Sequence, residues 1–244
     1  MRSRRSCLVV PGSDARMIEQ SRGIAVDYVL LDLEDAPDKV KARSAVAEAV
    51  AAGGWQAATV AVRVNDLSTP CTYRDVIEVV ETAGPGLGVI VLPKVGWPEQ
   101  VAWLDLLLGQ IERTMGFPEG GIKIEAVIEG ALGLTQAREI AQASDRVEAL
   151  VLGQSTYAAD TGMRASALDF ALHTVRVAAT AAGVQAVDGP WQQVDDLEGL
   201  RAKATRSAAI GFDGTWVIDA SQVAVADEVF SRGGSHAPGL ATDQ

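Results

Sequence analysis

Apolar residues in this chain fall into short, nearly continuous runs separated by longer amphipathic stretches. Eight runs qualify as strands: Ser6–Pro11, Tyr28–Leu33, Thr59–Val64, Val89–Val95, Ile122–Ile128, Val147–Gly153, Val184–Asp188 and Thr215–Ile218. Hydrophobicity that is continuous rather than alternating marks parallel strands covered on both faces. Segments of helical length and period lie between them, clearest at Ala42–Ala52, Trp97–Met115, Leu132–Ala143 and Ala165–Ala181. Ser13 or Asp14 stands where the first helix needs a cap, and Asp195 or Asp196 where the seventh does. Gly53-Gly54, Gly84-Pro85-Gly86 and Gly120-Gly121 fall between helix and next strand and read as stops and turns. Eight βα units in 244 residues predict a (β/α)8 TIM barrel. A doubly wound parallel sheet is the alternative, but that fold seldom needs eight such units. The pattern predicts one barrel domain over residues 1–231 and a disordered tail over 232–244, where apolar residues are sparse.

Composition narrows the functional classes. A net charge of −11 argues against nucleic acid, whose phosphates need clustered Lys and Arg. Cys7 and Cys71 are the only cysteines, so no disulfide framework or CxxC site is expected. With only His173 and His236, a His-rich zinc site is excluded. The basic run Arg2–Arg5 is followed by an apolar run too short for a signal peptide, and no stretch reaches membrane-spanning length. A cytoplasmic protein without a membrane partner is the expectation.

In a barrel of this kind the C-terminal strand ends converge on one face, where the chemistry is kept. Asp32, Glu34 and Asp35 end the second strand, Arg63 the third, Lys94 the fourth and Glu129 the fifth. Glu129 suits a hard cation such as Mg²⁺, which takes carboxylate oxygens and keeps several waters; a helix-start acid is the equal alternative. The Arg63 guanidinium offers a fixed donor fork to a carboxylate or a developing enolate, and an ion pair with Glu34 or Asp35 would preorganise it. Asp32 and Glu34 share one face of their strand while Asp35 begins the loop, and at least one of the three carboxylates must meet Arg63, Lys94 or a cation. Thr156 and Asp160 follow strand six. Asp188 and Asp219 are as well suited to helix caps as to substrate contact. Cys7 reads as core, His173 as a surface or packed residue, and the scattered tryptophans suggest no stacking platform.

Taken in order, Arg5-Ser6…Val10-Pro11-Gly12, Leu31-Asp32-Leu33-Glu34-Asp35, Val62-Arg63-Val64-Asn65, Leu92-Pro93-Lys94, Ile128-Glu129, Ala158-Ala159-Asp160 and Gly211-Phe212-Asp213-Gly214…Trp216 resemble the HpcH/HpaI aldolase and citrate lyase β-subunit family. The resemblance runs from about Arg5 to Val223. It implies a barrel assembled as a homotrimer or larger homo-oligomer. It also implies Mg²⁺-dependent cleavage or formation of a β-hydroxyacyl thioester, with an acyl-CoA and a small 2-oxo acid as the other partners. Glu129 would then be a metal ligand, Arg63 would stabilise the enolate beside Glu34, and Asp35 would order metal-bound water or Arg63. Arg16 and Lys39 would lie near the CoA phosphates. Where the family places a second metal-ligating aspartate this chain has Thr156, leaving Asp160 or a substrate carboxylate to compensate. Where the family has His-Pro after strand eight, it has Asp219-Ala220. The C-terminal extension of many relatives, which lids a neighbouring site, is expected to be absent. These departures keep a thioester hydrolase or a non-catalytic homologue as alternatives.

Overall fold

The computed structural model describes residues 2–164 and 167–232. Eight parallel strands close into a barrel in chain order: β1 (Ser6–Pro11), β2 (Tyr28–Asp32), β3 (Thr59–Arg63), β4 (Val89–Leu92), β5 (Lys123–Ile128), β6 (Val147–Leu152), β7 (Gln185–Asp188) and β8 (Gly214–Val217). The ring shuts where β1 pairs with β8, Cys7 opposite Trp216. Around it lie α1 (Ala15–Arg22), α2 (Lys39–Ala52), α3 (Thr72–Ala83), α4 (Pro98–Met115), α5 (Ala131–Thr135), α6 (Ala137–Ala141), α7 (Gln154–Thr161), α8 (Asp169–Ala182), α9 (Leu197–Ile210) and α10 (Ala220–Arg232). The barrel read from the hydrophobic pattern is therefore the observed fold, with strand ends differing by at most three residues.

Alternation along each strand sorts side chains between two cores. Cys7, Tyr28, Leu30, Ala61, Val89, Val91, Val127, Ala149, Val151, Val187 and Trp216 fill the barrel interior. The opposite parity, including Val29, Leu31, Val62, Ile90, Ile124, Leu150 and Leu152, packs under the helices. Cys7 is thus core, as expected, and His173 is exposed on α8.

Asp14 caps α1 by accepting from the N–H of Arg16 and Met17, and Asp196 caps α9 by accepting from Gly199. Gly53, Gly54, Gly84 and Gly120 adopt positive φ in the turns read from the sequence. The single helix expected over Leu132–Ala143 is instead two short ones, α5 and α6, broken at Gln136 (φ −107°). Gly133 presses α5 so close to β4 that a Cβ there would lie 2.2 Å from the Val95 carbonyl oxygen. The helix expected from Ala165 starts at Asp169, and Ala165 itself lies outside the described residues. So does the expected tail, apart from Arg232 at the end of α10. Among the described residues no helix is long and apolar enough to cross a membrane.

Candidate active site

Strand parity builds the site. Asp32 is inward because Tyr28 and Leu30 are, and Arg63 because Ala61 is. In the parallel register Asp32 is the direct neighbour of Arg63, so the two side chains meet inside the barrel mouth. Arg63 Nε donates to Asp32 Oδ1 at 2.8 Å and Nη2 to Oδ2 at 2.7 Å, the bidentate fork geometry. Nη2 also reaches Asp35 Oδ2 at 3.4 Å, and Nη1 lies 3.0 Å from Glu34 Oε2. Burial works against the Arg63 charge, but its hydrogen bonds to Asp32 and the charges of Asp32, Glu34 and Glu129 outweigh it. The guanidinium is held cationic well above its ordinary range. Its face lies over the Trp216 ring, 5.4 Å from the centroid. Among the described residues the one contact of Nη1 is the ion pair with Glu34, so its second N–H remains available to a ligand.

Glu129 continues the inward parity of Glu125 and Val127 and is buried. Its Oε2 accepts the Lys94 main-chain N–H at 3.0 Å. Its other side lies over Gly153, where an added Cβ would fall 2.6 Å from Cγ and 2.8 Å from Oε1. Gly153 is therefore the residue that makes room for this carboxylate. Burial first, and then the charge of Glu34, push the Glu129 pKa up; Arg63 and Lys94 only partly oppose them. Lys94 Nζ pairs with Glu34 Oε1 at 2.9 Å and lies 3.6 Å from Asp66 Oδ2.

Asp32, Asp35, Arg63, Glu129, Ser155 and Thr156 line one cavity of about 330 Å³, walled by Val9, Met17, Pro190, Trp216 and Ile218. A second cleft of about 400 Å³ lies beyond Glu129 and Thr156, bordered by Lys94, Gly130, Leu132 and Asp160. Glu129 and Thr156 are the shared wall. A larger cavity of about 710 Å³ opens at the opposite end of the barrel between Arg5, Arg176 and Asp213. Its arginines are already paired, Arg5 with Asp27, Arg176 with Asp213 and Arg4 with Glu125 and Glu148, and it holds none of the residues above.

The structure brings together Glu34, Asp35, Arg63, Glu129 and Thr156 of the residues singled out from sequence. Asp35 is at the edge, with its side chain 86% exposed. Asp160 Oδ2 accepts the Ala131 N–H at 2.9 Å, so this carboxylate caps α5 from a neighbouring loop and helix. Arg16 is exposed on the first turn of α1. Lys39 is less free: its ammonium donates to the carbonyls of Leu33 and Glu34, closing the loop after β2. Asp188 is fully buried between Gln154, Lys203 and Ser207, and Asp219 accepts from Ser221, so both serve structure. Asp32, one of the three carboxylates expected to meet Arg63, Lys94 or a cation, is the main partner of Arg63, ahead of Glu34 and Asp35. Trp216, which packs beneath the guanidinium, is the site residue the sequence reading missed.

The oxygen donors suit a hard divalent ion. Glu129 is a buried carboxylate without a full counter-charge, and Thr156, Ser155, Asp32 and Asp35 present further oxygens to the same cavity. Two cations, Arg63 and Lys94, stand against Asp32, Glu34, Asp35, Asp66 and Glu129, so the cluster has room for positive charge. Among the described residues no three His, Cys, Asp or Glu side chains form a ready-made ligand cage. Water or substrate oxygens must therefore complete any coordination shell.

The profile of the HpcH/HpaI aldolase/citrate lyase family matches residues 5–220. A protein of Cereibacter sphaeroides named L-malyl-CoA/beta-methylmalyl-CoA lyase is 38% identical over 254 aligned positions, covering 94% of this chain and 80% of the relative. The citrate lyase β subunit of Mycobacterium tuberculosis, solved with oxaloacetate and magnesium, superposes with a TM-score of 0.75 at 27% identity, covering 93% of this chain and 96% of that one. The protein CitE of the same organism, solved with magnesium, acetoacetate and coenzyme A, gives a TM-score of 0.74 at 27% identity over 92% of this chain and 80% of that one.

Proposed function

The chain belongs to the HpcH/HpaI aldolase/citrate lyase family, as a carbon–carbon lyase of the citrate lyase β-subunit-like kind, and on that premise we propose that it cleaves or forms a β-hydroxyacyl-CoA with Mg²⁺ assistance, Arg63 stabilising the enolate. The observation that carries this reading is Arg63, locked by Asp32 through Nε and Nη2 and by Glu34 through Nη1, with one Nη1 N–H turned away from Glu34, in one cavity with Glu129.

In the cleavage direction the β-hydroxyl loses its proton and the carbon–carbon bond breaks to leave a 2-oxo acid. The bond electrons pass to the acyl thioester as an enolate, which then takes up a proton. Arg63 places N–H donors where that enolate oxygen gathers charge, and it needs no reorientation because its other donors are already fixed. Glu34 and Asp35 hold the guanidinium from the loop side. Glu129 and Thr156 would hold the Mg²⁺, with Asp160 adding its second oxygen. The ion, when bound, supplies Lewis-acid polarisation of the oxo-acid oxygens. Because Thr156 is neutral, the oxo acid would have to contribute ligand charge, so metal affinity should rise when an oxo acid is present. Arg16 at the rim reaches the CoA phosphates, with Lys39 steadying the loop beneath. A homotrimer or larger assembly fits the apolar strip on α8, where Phe170 is 73% and Val177 67% exposed. The cytoplasm is the compartment in which such a substrate is met.

The test is calorimetric titration of Mg²⁺ alone and with glyoxylate, pyruvate or oxaloacetate, beside an assay of oxo-acid release from β-hydroxyacyl-CoA thioesters. Metal binding that strengthens with an oxo acid, and oxo-acid release that falls about 10²–10³-fold in Arg63→Ala, is the expected result. Release of CoA thiol without an oxo acid would instead make the protein a thioester hydrolase. An Arg63→Ala protein that keeps its rate would remove the enolate assignment.

A further inference from the structure

Lys94 is the one non-glycine among the described residues with positive φ, at 50°. A lysine gains nothing from that conformation by itself; crowding at Cβ makes it costly for any side chain but glycine. Its surroundings explain why it persists. Leu92 ends β4, Pro93 has no N–H to give, and the ladder to β5 resumes only at Val95, whose N–H reaches the Val127 carbonyl at 3.0 Å. The β4 side thus carries one residue more than a regular ladder to β5 would. The left-handed turn at Lys94 swings its N–H out of the ladder and onto Glu129 Oε2. The same turn sends the side chain the other way, to Glu34 Oε1 at 2.9 Å, and Glu34 Oε2 is 3.0 Å from Arg63 Nη1.

We propose that Lys94 is a positioning residue that fixes both working groups of the site at once, its left-handed main chain holding Glu129 and its ammonium holding Arg63 through Glu34. The inference rests on the lyase reading above. Lys94 works through these two neighbours, without touching the reacting carbons. The two halves of its role are separable. Glycine keeps the left-handed main chain at no steric cost and discards the ammonium. Alanine discards the ammonium and retains the steric cost. Arginine keeps the charge.

The experiment compares Lys94→Gly, Lys94→Ala and Lys94→Arg in the whole protein by thermal melting, Mn²⁺ binding followed by electron paramagnetic resonance, and steady-state kinetics. Lys94→Gly should melt above Lys94→Ala and bind Mn²⁺ nearly as the parent does, because the N–H on Glu129 is kept. Lys94→Ala should bind Mn²⁺ several-fold more weakly. In both, kcat should fall on the order of ten-fold or more with KM changed little, since small misplacement of a reacting group costs rate. Lys94→Arg should recover most of the kcat. Equal melting and equal Mn²⁺ affinity of the glycine and alanine variants would overturn the main-chain half, and unchanged kcat in both would overturn the ammonium half. A parent protein with no turnover of any thioester would count against the lyase reading and, with it, the ammonium half, while melting order and Mn²⁺ affinity judge the main-chain half without it.

Discussion

At the level of single residues, Glu129 and Gly153 form one unit. The hydrogen bond from Gly153 N–H to the Ile128 carbonyl brings β6 against the end of β5, and the Glu129 carboxylate lies across the glycine. Gly153→Ala puts a methyl within 2.6 Å of Glu129 Cγ, so the carboxylate must move. Calorimetry should show Mg²⁺ affinity lowered ten-fold or more, and overpacking should lower stability by about 1–3 kcal/mol. Full affinity in that variant would mean Glu129 has another place to go. Glu129 also sets a pH dependence. Its folded-state pKa lies above the ordinary 4.5, so in that window the folded protein holds a proton that the unfolded chain has released. Apo stability from Glu129 therefore falls as pH rises through the window, the reverse of a salt-bridged acid. Metal requires the ionised form, so Mg²⁺ affinity should rise over the same window. Melting curves of apo and Mg²⁺-loaded protein should diverge with rising pH, and parallel curves would mean the ion binds elsewhere.

At the level of elements, what the sequence made legible and what it hid have distinct causes. The eight strands were readable because parallel strands are apolar on both faces, and Asp14 and Asp196 because a cap needs only its own helix. That Arg63 meets an acid of the second strand was readable, but that Asp32 takes the bidentate pairing was not, since it depends on which β3 residue stands beside Asp32, and that register is a property of the closed ring. Trp216 was passed over because tryptophans were judged by spacing along the chain, whereas its inward parity on β8 is what puts it under Arg63. The break at Gln136 was hidden for a similar reason: the close approach of Gly133 to Val95 is tertiary. Asp160 shows the same limit, because its partner Ala131 lies 29 positions away. Its two oxygens can be tested apart. Asp160→Ala should lose about 1 kcal/mol of stability with the cap, and Asp160→Asn should restore it, since the amide oxygen still accepts from Ala131. If the second oxygen also serves the ion, Asp160→Asn should bind Mn²⁺ more weakly despite melting like the parent. Parental Mn²⁺ affinity would leave Asp160 a cap alone.

At the scale of the whole molecule, the barrel keeps two ionic clusters at opposite ends of one interior, and they answer to different demands. At the mouth, Asp32, Arg63 and Glu129 border a cavity, and their arrangement leaves donors free. At the base, Arg4 is wholly buried, with Nε on Glu125 Oε1 at 2.6 Å, Nη1 on Gln185 at 2.5 Å and Nη2 on Glu148 at 2.8 Å. Its guanidinium also lies 5.6 Å from the Tyr28 ring centroid. Arg4 therefore ties β5, β6 and β7 together from the chain's N-terminal segment. Burial opposes its charge, and Glu125 leads the groups that outweigh it, so the arginine stays cationic. Replacing one member of such a network strands the others in a dry interior, which costs about 3–5 kcal/mol. Arg4→Met keeps the volume and removes the charge, leaving Glu125 buried beside Tyr28 without its partner. Chemical denaturation should show a loss of that size, while kcat per folded molecule at low temperature stays near the parent value because the mouth is built from other residues. Adding Glu125→Gln to Arg4→Met should recover much of the stability, since the stranded charge is then gone. A double variant no more stable than Arg4→Met would show that the network is held by packing around Arg4 rather than by charge.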